Sequence, residues 1–114
     1  LRAFEYAAGA EVGVEGTGRS RYLFFVEFEG EAPSEEQKAA LTRAIDDNLC
    51  GLNRVYREHR QGDVGILEPR LISLPSGSAT RFMKEIGNTS VQSKFPRALS
   101  DDRRDILLTY ANSA

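Results

Sequence analysis

The 114-residue chain has one cysteine, one histidine, one methionine and no tryptophan. A lone Cys50 excludes an internal disulfide, and a lone His59 has no second histidine or cysteine to share a metal with, so no zinc site is expected. Cys50 stands beside Leu49 and Leu52 on a predicted helix and reads as a small core residue. No apolar run approaches the roughly 20 residues that span a bilayer. No basic segment leads into an apolar one, so no signal peptide is expected and the cytoplasm is the expected compartment. The formal net charge of −2 lacks the positive excess that draws a domain to nucleic acid or anionic lipid, so neither is expected as a partner. Phosphate cradles are missing too: there is no G-x-x-x-x-G-K-[ST], and no G-x-G-x-x-G between a strand and a helix. The glycine-rich "GVEGTG" precedes a strand, so no helix N-terminus waits there for a phosphate. With one histidine, one cysteine and no G-x-S-x-G, nucleophilic triads are poor candidates as well.

What remains suits one small domain. The length permits a core without staples. Residues 2–6 alternate around Phe4 and Tyr6 and predict a short strand, and "AAGAEVGVEGTGRS" predicts a loop. "RYLFFVEFEG" is the strongest strand signal. Tyr22, Phe24, Val26 and Phe28 share one face, and Leu23 and Phe25 the other, which predicts a central strand covered on both sides. Ser34 followed by Gln37 forms a capping-box pattern at a helix start. Leu41, Ile45, Leu49, Leu52, Tyr56 and His59 then recur at helical spacing and predict one buried stripe. Gly51 and Asn53 either kink that helix or restart it, and Gly62 ends it. "LEPRLISL" predicts a third strand, with Pro69 placing its start near an edge. "PSGSATRFMKEIG" predicts a turn and a short helix facing inward with Phe82, Met83 and Ile86. Ser100-Asp101-Asp102 caps a last helix carrying Ile106, Leu107 and Tyr110. The order predicts an α+β domain: a small, few-stranded mixed or antiparallel sheet flanked by helices.

Two segments invite chemistry. "RYLFFVEF" partly fits an RNA-recognition strand, but Tyr22 and Phe24 stand where small residues let RNA approach, so a buried central strand is the better reading. "VQSKFPRAL" holds Lys94 in a half-apolar connector that Pro96 stiffens by restricting Phe95. Such a lysine is either solvated and idle or a carried cation. "LNRVYREHR" sets Asn53, Tyr56, Arg57 and Arg60 within two turns, which is a solvated basic face or an architectural motif.

In order, "RYLFFVEFEG", "LNRVYREHRQGD", "PSGS" and "QSKFPR" resemble the C-terminal domain of the auxin-responsive (Gretchen Hagen) acyl acid amido synthetases. That family is related to the acyl-CoA synthetase and luciferase group. The resemblance covers nearly the whole chain. Its sharpest parts are L-N-x-x-Y-R-x-x-R, met by Leu52, Asn53, Tyr56, Arg57 and Arg60, and Q-[aromatic]-K-x-P-R, met by Gln92, Lys94, Pro96 and Arg97. Ser93 departs from the aromatic of the second pattern. The resemblance implies an ATP-dependent ligase in which a carboxylic acid is adenylated and an amino acid amine then takes the acyl group. It implies ATP and Mg²⁺ in the full enzyme, neither bound by this domain alone, and an N-terminal adenylation domain as partner. In that frame residues 1–114 form a single lid domain from a longer protein, in keeping with a start at "LRAFEY" without methionine. Lys94 would be catalytic, and Gln92 and Arg97 would approach the nucleotide, or Arg97 would tie the connector to its own domain. Asn53, Tyr56, Arg60 and Pro96 would be structural. The competing expectation is an interaction or regulatory domain that keeps the fold without the chemistry.

Overall fold

The computed structural model describes residues 2–14, 18–61, 65–87 and 94–112. In chain order these form β1 (Ala3–Glu11), β2 (Arg21–Phe28), α1 (Glu35–Leu52), α2 (Arg54–Arg60), β3 (Arg70–Leu74), α3 (Ser78–Glu85) and α4 (Asp101–Asn112). The three strands form one mixed sheet in the order β1-β2-β3. β2 is antiparallel to β1 and parallel to β3. A parallel neighbour requires a crossover, and α1 with α2 supplies it. The α+β expectation holds, with β2 central and the Pro69 strand at the edge.

Alternation on β2 divides the sheet into two faces. Leu23 and Phe25 join Ala7, Ile72 and Leu74 under α3, α4 and Phe95, and Ala79, Phe82, Leu107 and Tyr110 complete a closed core. Tyr110 hydroxyl donates to Glu85 across α3 and α4, with the Arg81 guanidinium 4.1 Å above its ring. Burial, and then that hydrogen bond, push the Tyr110 phenol up to about 12. On the other face Tyr22, Phe24, Val26 and Phe28 look toward α1.

Several expectations are corrected. β1 does not stop at Tyr6 but runs to Glu11. Gly9 is tolerated in it because the stem of Arg104 packs where a side chain would stand, 3.3 Å from the position of a Cβ. The helix breaks at Asn53, which ends α1 and caps α2 by accepting from Tyr56 N at 3.0 Å. The break interrupts the stripe: Leu41, Ile45 and Leu49 are half-buried, Tyr56 is buried, but Leu52 is 86% exposed and His59 is exposed. Cys50 is half-buried rather than core. Ser34 and Gln37 do make the reciprocal capping box. The expected stop at Gly62 lies outside the described residues. No helix among them is long and apolar enough to cross a membrane.

Candidate functional site

The connector of residues 94–99 runs along the free edge of β1. Ala8 N donates to Arg97 O at 2.8 Å and Leu99 N donates to Ala8 O at 2.9 Å, so Ala98 bridges Ala8 in parallel fashion. Phe95, next to the lysine, is buried in the core and meets Phe82 edge-on, with ring centroids 5.5 Å apart. Pro96 is half-buried. Lys94 is exposed, and no described residue pairs with its ammonium. A buried aromatic and an exposed cation are therefore adjacent, held by Phe82 on one side and by the β1 edge on the other. Gln92 and Ser93 lie outside the described residues.

Arg97 faces back onto β1. Its Nη1 donates to Glu5 Oε2 at 2.5 Å and to Tyr6 O at 2.9 Å, and its guanidinium lies 4.1 Å from the centre of the Tyr6 ring. The hydrogen bond that Arg97 donates to Glu5 raises the Arg97 pKa.

α3, which carries Phe82, begins at Gly77 in a left-handed conformation, φ +89°, with no side-chain cap of its own. Its cap comes from the centre of the sheet. The buried Glu27 carboxylate accepts from Gly77 N at 3.0 Å and Ala79 N at 2.7 Å. A negative charge there complements the helix dipole and satisfies otherwise orphaned amides. Glu27 falls in step with Leu23 and Phe25; a carboxylate on the buried side of a central strand was the available signal of an internal cap.

Asn53, Tyr56 and Arg60 gather on the other face. Tyr56 hydroxyl donates to Asp46 Oδ1 at 2.7 Å, and Arg60 grips the same carboxylate through Nε at 2.9 Å and Nη2 at 2.6 Å. Arg60 holds the Asp46 carboxyl below the usual range, against the opposing effect of burial. Burial first, then Asp46, raises the Tyr56 phenol. The pair sews α2 to α1, and Tyr56 lies 5.9 Å from the Tyr22 ring. Tyr22 is 41% exposed. Its ring centroid also lies 6.2 Å from that of Phe24, so Tyr22 belongs to an aromatic cluster on the helix-covered face but is more open to solvent than the expected burial of that strand. The two resemblance motifs thus occupy different places: Lys94, Pro96 and Arg97 at the β1 edge, Asn53, Tyr56 and Arg60 within the crossover, at the α1–α2 junction and on α2. Asp46 and Glu5, the acidic partners of the two arginines, carried no motif. Among the described residues no group of three or more His, Cys, Asp or Glu gathers as a metal site.

The model of the GH3 family C-terminal domain matches residues 1–103. Among solved structures, GH3.15 acyl acid amido synthetase superposes with a TM-score of 0.76 at 16% identity, over 95% of this chain and 19% of that one. A structure of AtGH3.15 acyl acid amido synthetase in complex with 2,4-DB gives a TM-score of 0.70 at 18% identity, over 95% of this chain and 20% of that one. At such identities the likeness shows the fold, and the chain spans about a fifth of the length of those structures. Comparison with curated protein sequences gives no match. The matched family model covers the sheet, the crossover and the Lys94 connector alike: the chain belongs to the GH3 family, as its C-terminal domain.

Proposed function

We propose that this domain is the mobile lid of an ATP-dependent acyl acid–amino acid ligase, and that Lys94 is the cation it carries to the reacting phosphate. The observation that supports this most is an exposed ammonium, without a partner among the described residues, beside a buried, packed Phe95. In adenylation a carboxylate must approach an already anionic phosphoryl group. A lysine brought in by the lid offsets that repulsion and stabilises charge developing on the phosphoryl oxygens. A compact charge on a long stem suits the task. The nucleotide, Mg²⁺ and the carboxylic acid would be held by an N-terminal adenylation domain, and the amino acid would enter for the second step. The isolated domain is expected to fold and to be inactive, with the intact enzyme working in the cytoplasm.

The test is Lys94→Ala in the intact enzyme. Pyrophosphate release should fall roughly 100–1,000-fold, the usual cost of one lost transition-state charge partner. Amide formation from pre-made acyl-adenylate should fall far less, because the lid then presents another face. Equal slowing of both steps, or of neither, returns Lys94 to a solvated loop lysine and favours a domain that keeps the fold without the chemistry.

A further inference from the structure

The geometry points to Glu5 as a positioning residue for Lys94: through Arg97 it fastens the lysine's connector to the edge of β1. This rests on the lid reading above. The connector is fixed from two directions. Phe95 is seated in the core on Phe82. Two residues on, Arg97 is held by the Glu5 carboxylate, the Tyr6 carbonyl and the Tyr6 ring, and its own carbonyl accepts from Ala8. Lys94 Cα is one virtual bond, about 3.8 Å, from the first of these anchors. The backbone under the lysine is therefore set before any nucleotide arrives. Small misplacements of a reacting group cost about 100-fold in rate, so such setting has kinetic weight.

Arg97 had two open roles, nucleotide contact or internal tie. A guanidinium already facing a carboxylate has its charge partly satisfied and offers less to a phosphate. The pair is half open to solvent, with side-chain exposures of 51% for Arg97 and 26% for Glu5. Exposed pairs contribute little to global stability. Its effect is local, and that makes it separable from folding.

The experiment uses the intact enzyme with Glu5→Ala, Arg97→Ala, the double variant and Lys94→Ala. Pyrophosphate release is followed against ATP concentration, and amide hydrogen exchange at Ala8 and Leu99 is read beside it. Both single variants should lower kcat for adenylation about tenfold without changing KM for ATP. The double variant should be no worse than either single, as expected for two residues acting as one unit. Exchange at Ala8 and Leu99 should quicken while the melting temperature stays within about 2 °C. A raised KM for ATP in Arg97→Ala, with Glu5→Ala silent, would make Arg97 a nucleotide ligand and overturn the proposal. Unchanged rates in both singles would overturn it as well. If Lys94→Ala itself leaves adenylation untouched, the lid reading fails and the positioning role falls with it. Exchange at Leu99 then still decides whether Glu5 fastens the connector.

Discussion

The two faces of the sheet are packed in different ways. Under α3 and α4 the side chains close completely: Phe25, Phe82 and Leu107 are 0% exposed. Under α1 they do not. That 18-residue helix buries no residue fully. A cavity of about 300 Å³ lies between it and the sheet, lined by Ala3, Tyr6, Phe24, Val26, Phe28, Leu41 and Ile45. A second of about 260 Å³ follows, beside Ala8, Tyr22, Leu49 and Tyr56. The closed face carries the anchor beside the lysine. The open face is held in part by polar grips, the Asp46–Arg60–Tyr56 cluster and the Asn53 cap. The longest helix thus covers the more loosely packed face, so helix length does not set how tightly a layer closes.

The sharpest way to break this comparison is to empty the closed face. Phe82→Ala should cost about 3–5 kcal/mol in chemical denaturation, because the void cannot collapse. A loss under about 1 kcal/mol would mean that the core is not closed. Adjacent residues on opposite faces give a finer test. Ala7→Val adds volume to the filled side and should cost about 1–3 kcal/mol, whereas Ala8→Val enters the open side and should be neutral or slightly stabilising. Equal destabilisation by both would erase the difference between the faces. Leu49→Ala, at a half-buried position, should cost about 1 kcal/mol, below the range for a fully buried leucine.

The narrowest effect is confined to acid. The folded-state pKa of Asp46 lies below its ordinary value of 3.8. Its contribution is therefore complete above that value and is lost as pH falls through the folded pKa. Thermal melts from about pH 5 to about pH 2 should show a shallower decline for Asp46→Asn than for the parent chain. Parallel curves would show that the grip on Arg60 does not reach stability.

The features that the sequence made readable are those set by periodicity and local chemistry. Alternation in "RYLFFVEF" identified the central strand, Ser34 and Gln37 marked the start of α1, and Phe82 marked the inner side of α3. The extent of β1 stayed hidden because "AAGA" has weak strand preference; it is extended by pairing to β2 and by Arg104 lying over Gly9. Leu52 fitted the helical spacing, yet the Asn53 cap restarts the helix and leaves it outside. Lys94 was visible as a cation in a stiff connector. Glu5 and Asp46 were not, because each acts on a residue distant in sequence, and spacing holds no record of that; Glu27 showed only as a carboxylate in step with Leu23 and Phe25, without its partner amides.

The pairing of the connector with β1 has a consequence for biosynthesis. Arg97 and Glu5 are 92 residues apart. β1 can pair with β2 as soon as β2 is made, but its other edge must wait until nearly the whole domain has left the ribosome. Contacts of such separation close late, since the loop entropy comes first. During that interval the β1 edge is a bare template for another chain, and charge is the usual guard of such an edge. Glu5 and Glu11 stand on that strand. The carboxylate that later receives Arg97 thus also discourages a nascent chain from pairing with its neighbour.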